Sequence, residues 1–119
     1  MKLLSNLIFF LLLSSFTWSQ EKIDKRLFSR YSENELASMQ INNPEEFKIL
    51  TYALDNGMYV ANYSAAKGEV YPEIERPRNN QTFIDLNLQI LDENQYFKIK
   101  GEEKMLIVKS KGLIKNELK

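Results

Sequence analysis

The sequence predicts an α+β fold: one or two N-terminal helices packed on a four- to five-stranded, mainly antiparallel sheet, after a cleaved signal peptide. Three observations carry this. A well-capped helical pattern from Asn43 to Gly57 runs straight into Met58–Tyr63, which alternates like a strand. Downstream, short alternating segments are separated by polar turns, the pattern of an antiparallel meander. Upstream, the first nineteen residues have the layout of an export signal.

The central helix has signals at both ends. Asn43 is a good N-cap, Pro44 fits the first helical position, and Glu45 and Glu46 place negative charge at the positive end of the helix dipole. Glu46 stands three residues after Asn43 and could close a capping box. Phe47, Leu50 and Leu54, broadened by Ile49, Tyr52 and Ala53, make one apolar face. Gly57 supplies a left-handed stop. A helix of this length needs a partner surface to persist in water.

The N-terminus has Lys2, then the apolar run Leu7–Leu13, then small residues that allow cleavage after Ser19. Leu3–Trp18 is shorter than the roughly 20 residues that span a bilayer. Residues 1–19 are therefore expected to be a signal peptide. Residues 20–42 read as an N-terminal arm with a short helix, and 43–119 as a single small α+β domain. The product is expected to be periplasmic or extracellular, touching the membrane only during export.

Within the arm, Gln20–Tyr31 suits a short helix or a loosely packed tether, and Ser32-Glu-Asn-Glu35 fits a capping box that opens a short helix. The aperiodic stretch from Ser64 to Thr82 reads as a long connection in which Val70, Tyr71 and Ile74 form a pin or a short edge strand. Phe83–Leu91 is the clearest predicted strand. Ile84, Leu86, Leu88 and Ile90 fall on one face, and Asp85, Asn87 and Gln89 on a wet one. Tyr96–Lys100 and Met105–Lys109 follow as strands. Leu113–Leu118 reads as a last strand or a short helix.

Composition narrows the chemistry. The 119 residues contain no His and no Cys, which removes imidazole acid–base catalysis, thiol nucleophiles, thiolate metal sites and disulfides. Sixteen Lys+Arg balance sixteen Asp+Glu, so nucleic acid is not an expected partner. No cofactor and no metal site is predicted, and no catalytic residue. The one string with a catalytic look, Ser64-Ala-Ala-Lys67, lacks the companion strings of the enzymes that use Ser-x-x-Lys. The matches to the glycan acceptor pattern, Asn62-Tyr-Ser64 and Asn80-Gln-Thr82, matter only in a eukaryotic secretory pathway.

The expected function is a non-enzymatic exported binding or accessory domain with a protein partner. Its contact surface is expected at the proline-stiffened segment carrying Tyr71, Ile74, Arg76 and Arg78, together with the polar face bearing Asp85, Asn87 and Gln89. An alternative places an anionic envelope polymer or membrane surface on the C-terminal quarter, where seven lysines outnumber three glutamates between Asn94 and Lys119. A further alternative is a small hydrolase using two facing carboxylates.

Overall fold

The computed structural model describes residues 22–63 and 69–119. The expected signal peptide and the Ser64/Lys67 string lie outside the described residues. The chain forms a 3-10 helix (Lys25–Ser29), helices α1 (Glu33–Asn42) and α2 (Pro44–Asn56), strands β1 (Met58–Asn62), β2 (Glu73–Ile74), β3 (Gln95–Ile99) and β4 (Lys104–Val108), and helix α3 (Lys111–Glu117). The strands make one sheet in the order β1-β4-β3-β2. Among the described residues the class is α+β, with three α-helices on a four-stranded sheet.

Local chemistry accounts for the helix ends. Ser32 and Glu35 close a complete capping box: the Glu35 N–H donates to Ser32 Oγ (3.1 Å) and the Ser32 N–H donates to Glu35 Oε1 (3.2 Å). Asn43 both ends α1 and starts α2. Its N–H donates to the Met39 carbonyl at 2.8 Å, and its side chain accepts from the Glu46 N–H at 3.4 Å. Pro44 cannot continue α1, so the corner is sharp. The Glu46 side chain does not return to its own cap but reaches Lys111 Nζ, 3.2 Å away. Gly57 follows α2 with φ −80°, which is right-handed and not the left-handed stop expected from the sequence. Its requirement is steric. A Cβ there would lie 2.6 Å from the Ala53 carbonyl oxygen as the chain swings into β1.

The core lies between α2 and one face of the sheet. Phe47, Ile49, Leu50, Ala53 and Leu54 from α2 join Val108 of β4 and Ile114 of α3 in one buried cluster. Leu27 and Leu36 belong to it and are fully buried, so the segment before α2 is packed into the body and is not a loose tether. Arg26 fixes that segment: its guanidinium bonds Asp24, the cap of the 3-10 helix, at 2.8 Å, and Asp55 in the last turn of α2 at 2.7 Å.

Two strand expectations are corrected. First, the sheet is mixed. β1/β4 and β3/β4 are antiparallel, but β2 pairs parallel to β3, with Glu73 opposite Lys98 and Ile74 opposite Ile99. Parallel neighbours need a long crossover, and residues 75–94 supply it. Second, Phe83–Leu91 belongs to that crossover and is no strand. Its first half is a single helical turn, capped at both ends. The Thr82 N–H donates to Asp85 Oδ2 (2.7 Å), and the Asp85 N–H to Thr82 Oγ1 (3.4 Å). At the other end Asn87 takes φ +57°. There the Leu88 N–H donates to the Phe83 carbonyl (2.8 Å) and the Asn87 N–H to that of Ile84 (2.9 Å), a Schellman closure. The alternation of burial along 84–90 nevertheless holds, since Ile84 and Ile90 are in the core and Leu88 packs against it. The last segment, which the sequence reads as a strand or a short helix, is the helix α3, capped by Ser110 accepting from the Leu113 N–H at 3.1 Å.

Two outcomes follow from these contacts. Left-handed backbone costs an ordinary side chain about 1–2 kcal/mol. Asn87→Ala should therefore lower stability by about 1 kcal/mol, while Asn87→Gly should leave it unchanged or raised, both read by urea unfolding. Hydrogen bonds from Arg26 hold the Asp24 and Asp55 carboxyls below their ordinary pKa of 3.8. Between the folded and unfolded values the unfolded chain binds more protons, so stability rises with pH across that window. The contribution is complete above the unfolded value and lost as pH falls through the folded one. Melting curves of Arg26→Gln taken from about pH 2 to 6 should show a shallower acid limb than the parent chain.

Candidate functional site

Residues directly opposite in a strand pair share a face, so the register sorts the sheet into two sides. Met58, Phe97 and Val108 face the helices and pack in or against the core. Tyr59, Ile107 and Tyr96 form a row across the other side, with Ala61, Met105 and Lys98 in the next row. Every α-helix whose burial is described contributes to the core on the first side. On the outer side Tyr59 and Tyr96 are each 43% exposed.

Tyr63 and Tyr71 extend this outer side. Their rings meet edge to face at 5.7 Å, and Tyr71 lies 6.2 Å from the Tyr96 ring at a tilt. Tyr63 donates to Glu69, as does Tyr71 at 3.1 Å. The bond to Glu69, helped by the Tyr71 hydroxyl, pushes the Tyr63 phenol above the usual tyrosine range. Met105 is buried although it lies on the outer side, and it lines one cleft of about 260 Å³ with Tyr63 and Tyr71. That volume lies below the roughly 300–1,000 Å³ of small-molecule pockets. At the opposite end of the row, Lys109 Nζ stands 5.8 Å above the Tyr59 ring while donating to Glu117 at 2.8 Å. Glu117 also accepts from the Tyr52 hydroxyl at 2.7 Å, and Lys109 and Tyr52 together hold its carboxyl below its ordinary value.

The residues singled out from sequence fall on different elements. Tyr71 joins the tyrosine group. Ile74 is half-buried on β2. Arg76 sits 3.6 Å from Glu102 on the cleft rim, and the Arg78 N–H donates to Gln81 Oε1 at 2.7 Å. Asp85 is occupied as a cap and Asn87 as a left-handed turn residue, while Gln89 gives its carbonyl to the Gln95 side chain at 2.6 Å. These three lie on the crossover, because the expected polar sheet face does not exist there. The tyrosines at 59, 63 and 96 were missed as a site. Their signal was present, since three tyrosines alternate or recur at strand positions, but strand pairing alone decides which of them share a side.

The C-terminal lysines are largely spoken for. Lys100 pairs with Glu75 (3.6 Å), Lys109 with Glu117 (2.8 Å), Lys111 with Glu46 (3.2 Å) and Lys115 with Glu45 (2.9 Å). The hydrogen bond that Lys115 donates to Glu45 raises the Lys115 pKa above its ordinary value. Only Lys98, Lys104 and Lys119 of the seven lack an ion pair among the described residues, and they do not gather on one strand face. Among the described residues no group of His, Cys, Asp or Glu could hold a metal ion, and no helix is long and apolar enough to cross a membrane. A scan of protein-family models finds no match to this chain, and searches of curated proteins and of solved structures find none either.

Proposed function

We propose that the chain is a small exported, non-enzymatic binding or accessory domain, and that it grips a protein partner through the tyrosine-bearing outer side of its sheet. The observation that carries the reading is the row Tyr59–Ile107–Tyr96, with Tyr71 packed beside Tyr96 and with Tyr59 and Tyr96 each 43% exposed. Tyrosine suits such a surface. Its ring gives large contact area at low entropic cost, and its hydroxyl keeps the bare face wettable. The want of imidazole and thiol supports binding over catalysis. The ion pairs of the C-terminal lysines favour this reading over an anionic polymer. Export rests on the layout of residues 1–19, and places the partner in the periplasm or outside the cell.

The test is affinity capture from the native cell envelope, with Tyr59→Ala and Tyr96→Ala combined. Loss of central interface tyrosines typically costs about 2 kcal/mol or more, roughly thirtyfold in dissociation constant. The double variant should keep its far-ultraviolet circular dichroism and lose the captured partner. Equal recovery of the same partner would reject the outer face as the contact surface.

A further inference from the structure

The two edges of the sheet are built differently. β2 is two residues long and lies in the run Pro72-Glu-Ile-Glu-Arg-Pro77, so prolines and charges blunt it. β1, Met58-Tyr-Val-Ala-Asn62, carries no charge and no proline, and all five of its residues are paired in regular register with β4. Among the described residues it has none of the devices that keep an edge from pairing with another strand.

The register states which backbone groups of β1 are free. The Lys109 N–H donates to the Gly57 carbonyl (2.8 Å) and the Tyr63 N–H to that of Glu103 (3.2 Å). Hydrogen-bonded pairs alternate along an antiparallel ladder. Tyr59 and Ala61 therefore turn their N–H and C=O toward β4. Met58, Val60 and Asn62 turn theirs away from the sheet, and those groups meet no partner among the described residues. Val60 is 42% exposed.

We infer that β1 is a homodimer seam, pairing antiparallel with β1 of a second copy about a two-fold axis at Val60. In that register Val60 faces Val60, and Met58 faces Asn62 of the second copy. Every outward N–H and C=O of the strand then finds a partner on the other chain. On the outer side Tyr59 comes opposite Ala61 of the second copy, in the closely spaced type of pair, so a large ring lies over a methyl group. No like charges meet across the seam, because the strand has none. The large-over-small pairing of Tyr59 with Ala61 and the absence of charge fit the strand to itself. The pairing turns two four-stranded sheets into one continuous sheet and brings both tyrosine sides onto a common surface. The inference stands apart from the tyrosine-face reading, since it needs only the edge.

Sedimentation velocity of the protein purified from expression of the full chain tests it, up to about 100 µM. The parent is expected at twice the mass of one chain, and Val60→Lys at the mass of one chain with unchanged circular dichroism. The chain has no cysteine, so Val60→Cys adds a single thiol. Under oxidation it should give a covalent dimer, while Ala61→Cys, which faces position 59 of the second copy, should give little. A parent that stays monomeric throughout overturns the inference, including one that instead takes up a strand from another protein. So does a dimer that survives Val60→Lys, or equal crosslinking at positions 60 and 61.

Discussion

Burial of the α2 stripe against one side of the sheet is the contact on which the rest of the molecule depends. An isolated helix of thirteen residues is marginal in water, so its five buried residues must meet β4, α3 and the crossover together. Each large apolar side chain removed from water contributes about 1.5–3 kcal/mol. Polar contacts then fix how the helix lies. Glu45 and Glu46 at its N-terminus hold Lys115 and Lys111 of α3, and Asp55 near its C-terminus holds Arg26. Two of these pairs are largely solvent-exposed and the Lys111–Glu46 pair is partly exposed, so each is weak singly. Their effect is to select one orientation of an interface that apolar burial has already made stable.

That packing also creates the sidedness on which the proposed function rests. With the buried residues of the 3-10 helix, the α-helices and the crossover packed on one side, the other side of β1, β4 and β3 presents Tyr59, Ala61, Tyr96, Lys98, Met105 and Ile107. The crossover matters here, because it carries Phe83, Ile84 and Ile90 into the helix-side core. A simple meander would have placed a further strand in the sheet instead.

Legibility in the sequence followed the range of the interaction. Both α1 and α2 were readable because Ser32, Glu35, Asn43 and Pro44 act within four residues of themselves. The failure at Phe83–Leu91 has the opposite cause. Ile84, Leu86, Leu88 and Ile90 do alternate, and Ile84 and Ile90 are buried, but alternation alone does not require a neighbouring strand. The rival signal was local: Thr82-Phe-Ile-Asp85 is a capping pattern, and Asn87 tolerates left-handed backbone. Two caps around a single turn outweighed a period of two. Parallel pairing of β2 with β3 had no local signal, as it joins residues more than twenty positions apart. The same applies to the site. Tyr71 was identified by residue type, whereas its company with Tyr63 and Tyr96 arises from strand pairing.

The C-terminal charge illustrates why counting is a poor guide to surface chemistry. Seven lysines against three glutamates suggest a field that would draw an anion. Yet the acids that answer Lys100, Lys111 and Lys115 come from elsewhere in the chain, at Glu75, Glu46 and Glu45, so three of the four excess charges (seven minus three) are answered within the fold. What stays unspent is the aromatic side of the sheet. A face of leucines left so open would drive indiscriminate association. Tyrosines can face water through their hydroxyls and still offer a broad apolar ring when a partner arrives. A side built this way is compatible with both the empty and the occupied state, which is the property the proposed binding role needs most.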